Sequence, residues 1–518
     1  ELRMQEQIPP ILRPERVAPV SLHRLADRFE LEAGARDVSL TGISMNTGDL
    51  RPGDLFVAMP GLKTHGARFA KKALDQGAVA VVTDAVGKAL IEAENLNFEL
   101  PVVILENPRQ RLGDLAAFVY ANDAGQQPMR FGTTGTNGKT STSYLLEAVA
   151  RQLGELTGLT STAERHIAGE VIVSRLTTPE SPEMQALIAR MREKGVGAIA
   201  IEVSAQALTQ LRVDGIYFDV VGFTNLSHDH LDDYLDFDEY LAAKAQLFTK
   251  RRAGKGVICL DSAFGEAFAA KSEIDHVTIS SNPAIAADWQ VRVTHQAFDH
   301  TAFELTSANG ETISTRIPLL GAHMAANAGL AMVMLHEAGF SVEAIQRAVA
   351  DGIDAYLPGR TELVSPAGAP AVFVDFGHSP DAFQKTLDAV RAVTPGKLIM
   401  VFGADGDRDA SKRPEMSRVA ANGSDILVIT DHHPRFEDPA SIRKTLFDAA
   451  RAAKPDLELY EVSPPEQAIR KAVSLAQPGD SIYWAGPGHQ DYRDIRGVRT
   501  PYSARAEARA ALREHGYE

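Results

Sequence analysis

The chain has 518 residues, more than one hydrophobic core accommodates, and a typical domain size divides it into about three units. Hydrophobic residues make up 44% and charged residues 23%, the balance of a globular protein rather than a disordered or fibrous one. Lys+Arg 53 against Asp+Glu 68 leaves a net charge of −15, which argues against nucleic acid or an anionic membrane as the main partner. One cysteine, Cys259, excludes an intramolecular disulfide framework and a Cys-rich zinc site. It lies in the apolar run 256–260, where a buried structural thiol is expected. No stretch of 18 apolar residues occurs, and the opening ELRMQEQIPP carries no apolar signal-type run. A cytoplasmic protein with no membrane insertion is therefore expected.

Residues 1–106 alternate short apolar runs (55–59, 78–83, 102–105) with helical stretches such as 67–76, the pattern of a small α/β domain. From about Pro108 to residue 356 runs a larger unit with strands expected at 198–203, 218–223 and 256–260 and helices between them, which fits a parallel sheet with crossover helices. Between Trp289 and Ile317 the pattern changes to alternating strands broken by Ala308-Asn309-Gly310, expected as antiparallel hairpins on the edge of that sheet. Helices follow at 322–338 and 342–350. Leu357-Pro358-Gly359-Arg360 reads as a linker. Residues 357–518 then repeat strand and helix, with strands expected at 371–375, 398–402, 426–430, 457–460 and 481–484. This is a second doubly wound α/β unit, whose ligands belong outside the carboxyl ends of the strands. The fold class is thus α/β in three domains.

The most informative stretch is GTTGTNGKTST, Gly132 to Thr142. Gly132, Gly135 and Gly138 follow a short apolar strand and run into Lys139 and Thr140 at the start of a helix. Glycine permits the close backbone approach that a phosphate needs, and the helix start offers free N–H groups and a favourable dipole. Lys139 would meet the β- and γ-phosphates of ATP, and the Thr140 hydroxyl a Mg²⁺ ion. The strict Walker spacing places a glycine where Thr133 stands, so the loop is a variant; the plain alternative is an ordinary Gly-rich turn.

Further along, Glu202 ends the expected strand in IEVSAQAL, where a carboxylate could hold the nucleotide's Mg²⁺ or simply pair a surface cation. FTNLSHDHLD, Phe223 to Asp232, also follows a strand. His228, Asp229 and His230 there suggest zinc by composition or a polar loop with a satisfied histidine. Lys244 lies on a helix, YLAAKAQLF, where by itself it reads as a solvated lysine.

Taken in order, GTTGTNGKTS, EVS, FTNLSHDHLD and AAKAQLF resemble the Mur ligase family, ATP-dependent amide-bond-forming enzymes of peptidoglycan precursor synthesis. PGDLFVAMPG (52–61) resembles that family's uridine-nucleotide-binding domain. LPGRTE (357–362), VDFGHSPDAF (374–383), FGADGDRDASKRPEM (402–416), DHHPRFEDP (431–439) and AGPGHQDY (485–492) resemble its branch that adds the third residue of the peptide. The likeness covers nearly the whole chain.

The resemblance implies an ATP-dependent ligase that joins a free diamino acid to the D-glutamyl γ-carboxylate of UDP-N-acetylmuramoyl-L-alanyl-D-glutamate through an acyl phosphate. It implies two Mg²⁺ ions, with Thr140 and Glu202 on one and His230 on the other, and a carbamate on Lys244 as an anionic metal ligand. Gly135, Thr136, Asn137, Gly138, Lys139, Thr140 and Ser141 would contact ATP, joined by Asn327, Arg360, Asp375 and His378. Asn46, Thr47 and His65 would meet the uridine diphosphate. Thr177, Thr178, Ser204, Gln206 and Arg212 would hold the muramoyl dipeptide. Arg408, His433, Arg435, Gly486 and Gln490 would form the amino-acid pocket. A monomer is expected.

The chain departs from the family pattern in several places. Asn46-Thr47-Gly48 stands for the usual Asp-Ser-Arg, and Ser204-Ala205-Gln206 for Ser-Ser-His. Where diaminopimelate-selecting members carry Asp-Asn-Pro-Arg, this chain has His432-His433-Pro434-Arg435. Gly-Lys-Gly-His-Glu becomes Gly486-Pro487-Gly488-His489-Gln490, so the acidic group that would grip an ammonium is neutral. Arg435 and Arg408 favour meso-diaminopimelate over lysine, ornithine or diaminobutyrate, all of which stay open. Other readings are a folylpolyglutamate-synthase-like ligase, a non-catalytic muramoyl-nucleotide-binding protein and a P-loop motor or transporter ATPase. The last needs an LSGGQ or Walker B signature, and neither occurs.

Overall fold

The computed structural model describes residues 11–173, 178–227 and 236–518. Near the amino end, the strands Gly42–Ser44, Asp54–Ala58, Ala80–Thr83 and Val102–Ile104 form a four-stranded parallel sheet in chain order. Parallel sheets need cover on both faces, and here two apolar clusters supply it. One includes Leu55, Val57, Val82 and Val103 with the helix Pro108–Val119; the other includes Phe56, Ala58 and Val81 with the helix Ala70–Asp75. The expected helix at 67–76 opens as a 3₁₀ turn, Gly66–Phe69, which His65 caps by accepting the Ala67 N–H on its Nδ1. The cluster under Pro108–Val119 also takes in Ala186 and Ala189 of the helix Ser181–Glu193, which ties the amino-terminal sheet to the next unit.

The central sheet has eleven strands among the described residues. Its parallel core runs Thr157–Thr160, Ala198–Glu202, Met129–Thr134, Phe218–Phe223, Ala253–Cys259 and Asp275–Ser280. Successive residues face opposite sides. Ala198 and Ala200 meet the cluster under the helices Lys139–Gln152 and Ala322–Glu337, while Ile199 and Ile201 join the other face. One edge carries the expected antiparallel meander Trp289–Ala297, His300–Ser307 and Thr312–Ile317. The opposite edge carries a second hairpin, Glu164–Ile167 with Glu170–Val173, that the sequence pattern did not suggest.

Past the linker the six-stranded sheet is ordered Glu362–Leu363, Ala371–Asp375, Ser481–Ala485, Leu398–Phe402, Ile426–Ile429 and Glu458–Glu461, parallel except for its first pair. The register brings strand ends level: Asp375 and Phe402 both pair with Ala485, and Phe402 with Ile429. The loops starting at Phe376, Gly403, Thr430 and Gly486 therefore leave from one edge of the sheet. Among the described residues, no helix is long and apolar enough to cross a membrane.

Candidate active site

Thr134 ends the central strand, and the chain turns through Gly135 (φ 145) and Gly138 (φ 89) into the helix Lys139–Gln152. Both glycines are needed. A Cβ on Gly135 would lie 1.8 Å from Thr224 Oγ1, and one on Gly138 would lie 2.8 Å from Asn327 Oδ1. The Asn137 N–H donates to Asn225 Oδ1 at 3.0 Å, and Thr136 Oγ1 meets Tyr240 OH at 3.1 Å. The loop is thus fixed by the neighbouring strand end and by the helix Phe237–Ala245.

Lys139 Nζ donates to the carbonyls of Gly135 (2.9 Å) and Thr136 (3.0 Å). Burial lowers its pKa, opposed by the charge of Glu202 and aided by Arg360. Lys244, 2% exposed, donates to the same Gly135 carbonyl at 2.7 Å. Burial first and the nearby Lys139 second push the Lys244 amine well below its ordinary range. A helical lysine expected from sequence to be solvated is therefore a buried amine at the phosphate loop.

Glu202 ends its strand level with Thr133. Both its oxygens accept from the Thr162 hydroxyl at 2.9 Å, and Oε2 also accepts from the Thr162 N–H at 2.9 Å. Since that hydroxyl hydrogen goes to Glu202, Thr162 Oγ1 must accept from Thr140 Oγ1, 3.3 Å away. Thr140 in turn accepts from Arg360 Nη2 at 3.1 Å. A directed chain thus runs from the linker arginine through two threonines to the buried carboxylate. Arg360 also stacks on Phe376, with its guanidinium carbon 4.5 Å from the ring centroid.

Lys139, Thr140, Thr162, Glu202, Arg360 and Phe376 line a cavity of about 360 Å³ between the central and carboxyl-terminal units. Asn327, Asp375, His378 and Ser141, expected to contact ATP, join its wall together with Ser204, expected to hold the muramoyl dipeptide, and His323, which was not singled out. Asp375 is held by the Thr361 N–H (2.8 Å) and the Tyr483 hydroxyl (3.3 Å). Asn137 Nδ2 donates to Asp381 Oδ2 at 3.2 Å, so both units share the cradle. A second cavity of about 410 Å³ opens beside the first, and His378 and Lys412 line both. Gln206, Asp405, Arg408 and His432 belong to the second wall.

The other expected residues are distributed as follows. Asn46, Thr47 and His65 follow strands of the amino-terminal sheet, outside both cavities; Asn46 bonds Asp49, and His65 Nε2 bonds Asp84 Oδ1 at 2.8 Å. Thr178 donates to the Glu202 carbonyl (3.3 Å), while Arg212 reaches the Thr178 carbonyl (3.5 Å) and pairs Glu180. His433 Nδ1 accepts from the Asp494 N–H (2.9 Å), so Nε2 bears the hydrogen and donates to Gln490 Oε1 (2.7 Å). Burial, then His432, lowers the His433 pKa to about 4. Arg435 donates to the Gly406 carbonyl (2.8 Å) and lies 3.7 Å from Asp405 and 3.9 Å from Asp494. The Gly486 N–H donates to the Asp375 carbonyl (3.0 Å). Thr177 and His230, with His228 and Asp229, lie outside the described residues. Thr162 and Phe376 were missed, although each follows a strand end, the place that ligand-binding loops favour in such sheets.

A phosphate cradle closed by a second α/β unit, with a further polar cavity opening off it, is the architecture of an enzyme that activates one substrate with a nucleotide and passes it to another. Three family models match: the Mur ligase family catalytic domain over residues 39–120, the Mur ligase middle domain over 133–335, and the Mur ligase glutamate ligase domain over 359–488. A protein of Leifsonia xyli subsp. xyli (strain CTCB07), named UDP-N-acetylmuramyl-tripeptide synthetase, is 51% identical over 98% of this chain and 99% of its own. A Streptomyces avermitilis protein named UDP-N-acetylmuramoyl-L-alanyl-D-glutamate–2,6-diaminopimelate ligase is 40% identical over 97% and 98%. A solved structure described as a ligase of that same name superposes with a TM-score of 0.69 at 26% identity, covering 97% of this chain and 100% of that one. The chain belongs to the Mur ligase family, whose members are ATP-dependent ligases.

Proposed function

We propose that the protein adds a free diamino acid to the D-glutamyl γ-carboxylate of UDP-N-acetylmuramoyl-L-alanyl-D-glutamate, at the cost of ATP, as a monomer built from domains 1–106, 107–356 and 357–518. The observation that carries this reading is the pair of adjoining cavities whose walls share His378 and Lys412. Carboxylate activation in the first and amine entry from the second then need no transport between them. A carboxylate is a poor electrophile, and phosphorylation turns one of its oxygens into a good leaving group. The γ-carboxylate oxygen attacks the γ-phosphorus, the bond to the ADP oxygen breaks, and the amine later attacks the acyl carbon as phosphate leaves. Lys139 neutralises charge on the transferring phosphoryl group, and the N–H groups at the helix start hold the neighbouring phosphates.

Thr140 and Glu202 offer hard oxygen donors, joined through Thr162 in the cavity wall, and this set fits Mg²⁺. They would hold one ion and His230 a second; when bound, such ions neutralise phosphate charge and orient the oxygens. Lys244 fits a carbamate, because a buried lysine displaced toward its neutral form presents the amine lone pair that adds CO₂.

In the second cavity the described groups favour a substrate with a distal carboxylate. Arg408, Lys412 and Arg413 supply three cations to its wall, against Asp405, which His432 occupies, and Asp409. This excess of cations suits a carboxylate, so diaminopimelate stands ahead of lysine, ornithine and diaminobutyrate. The four-stranded amino-terminal sheet, with Asn46, Thr47 and His65 at its strand ends, supports a uridine-nucleotide substrate over a folate. The test is phosphate release with the muramoyl dipeptide nucleotide against a panel of diamino acids. Release should require both substrates. Release stimulated by a pteroate instead, or ATP binding with no amine-dependent turnover, would reject the reading.

A further inference from the structure

The second cavity holds an ionisable pair to which the reaction described so far gives no task. Asp405 follows the strand Leu398–Phe402 and His432 follows Ile426–Ile429; these strands are parallel neighbours, so the two loops leave from one edge. Asp405 Oδ1 lies 2.5 Å from His432 Nδ1. A carboxylate only accepts, so Nδ1 bears the hydrogen and donates it. The other ring nitrogen, Nε2, is closed off from solvent and has no partner among the described residues. Beside it stands Gly486, where a side chain would come against the ring: a Cβ there would lie 3.7 Å from Nε2. Both Asp405 and His432 line the cavity. Buried polar atoms are normally paired, and an unpaired one in the wall of a substrate cavity is accounted for when the substrate supplies the partner.

We propose that His432, oriented by Asp405, takes a proton from the ammonium group of the incoming amino acid and so generates the attacking amine. The proposal rests on the ligase reading above. An amino group that enters as ammonium has no lone pair to offer the acyl carbon. Nε2 accepts one of its three protons, and the imidazolium formed is stabilised by the Asp405 carboxylate, the orienting role that a carboxylate has beside a general base. The freed lone pair forms the C–N bond, the carbon–oxygen bond to phosphate breaks, and phosphate leaves with that electron pair. A second amine proton leaves on the phosphate, and the third stays on the amide.

The surrounding charges are mixed, with Arg408, Asp409 and Arg413 in the same cavity wall. Arg435 Nη1 lies 3.7 Å from Asp405 Oδ2, and the His433 ring packs 4.1 Å from that of His432. His378 and Lys412 stand in the same cavity wall, and Arg493 Nε donates to the His432 carbonyl at 3.0 Å. Burial alone would raise the Asp405 pKa, but His432 and its hydrogen bond hold the carboxyl far below its ordinary range. Asp405 is therefore an anion and a fixed acceptor. His432 is the catalytic residue here and Asp405 a positioning one.

The test compares two nucleophiles on the same acyl phosphate. Hydroxylamine is largely unprotonated near neutral pH and needs no base, so hydroxamate formation reports activation alone. His432→Asn should lower peptide formation by about 10²–10⁴-fold, raise the ratio of hydroxamate to peptide at least about tenfold, and shift the rise of kcat toward alkaline pH. Asp405→Asn should move all three in the same direction by less. Equal loss of both products, an unshifted pH profile, or a higher KM for the amino acid at unchanged kcat would overturn the proposal. Wild-type protein that forms neither hydroxamate nor peptide would overturn the ligase reading instead.

Discussion

Lys139 and Lys244 place their amino nitrogens on one oxygen, the carbonyl of Gly135, at 2.9 and 2.7 Å. Two ammonium groups on one buried carbonyl repel, and the surroundings decide which keeps its proton. Lys139 has the Glu202 charge in its favour; Lys244 has only burial and Lys139 against it. Lys139 therefore keeps its proton more readily than Lys244.

Replacing the cation removes the charge that positions and neutralises the phosphates. Lys139→Ala should lower ATP turnover by about 10²–10³-fold or more, read as ADP released per enzyme in the presence of both substrates. Turnover near that of the wild type would withdraw the assignment of the loop.

If the Lys244 amine carries CO₂, its truncation removes an anionic ligand rather than a cation. Lys244→Ala should be nearly inactive and recover in part when short carboxylates such as formate or acetate are added, scored as phosphate release against carboxylate concentration. Activity untouched by the substitution would reject the role.

Arg435 tests the choice of amino acid. Its guanidinium is held by the Gly406 carbonyl and lies near Asp405 and Asp494. Arg435→Ala should raise KM for diaminopimelate about tenfold more than for lysine, a difference of ~1.4 kcal/mol. An equal rise for both would mean that the arginine reads only the α-carboxylate they share.

His166 offers a pH test away from the chemistry. It lies between Glu147, on the helix that leaves the phosphate loop, and Glu164, with its nitrogens 2.8 Å from each. Burial lowers its pKa, but the two carboxylates outweigh burial and push it up to about 9. A group whose pKa rises on folding stabilises the fold fully below its unfolded value, about 6.5, and that contribution is lost as pH climbs through about 9. Stability should fall by about 1–3 kcal/mol across that window, and His166→Gln should flatten the fall. The measurement is the urea midpoint of each protein at several pH values; parallel declines would show that His166 does not control it.

Much of this was legible in the residues. The strands 218–223, 371–375 and 398–402 stand where their apolar runs put them, because strands buried on both faces read as unbroken hydrophobic segments. The phosphate loop was legible for a local reason, since its glycines, lysine and threonine are consecutive. The edge hairpin at 164–173 was not. Its strands have four residues each, and its turn puts Ala168 (φ 51) before Gly169 (φ 92), where Asn-Gly would have announced it. Thr162 and the Asp405–His432 pair were hidden for another reason. Each gains its meaning from a partner on a different strand end, and strand order in a doubly wound sheet is not written in local pattern. Lys244 reads as solvated until tertiary packing buries it.

Of the side chains around the second cavity, Gln206 alone among the described residues comes from outside the carboxyl-terminal unit. On the proposed assignment, the wall that selects the amino acid is built almost wholly by one length of the chain, whereas the nucleotide cavity is built by two. A lineage could then change the residue it adds by altering loops in the last third of the gene, provided that Arg360, Asp375, His378 and Lys412, which the first cavity also uses, are kept. The same partition suggests a practical exchange, in which grafting those loops between relatives re-addresses the ligase to another amino acid.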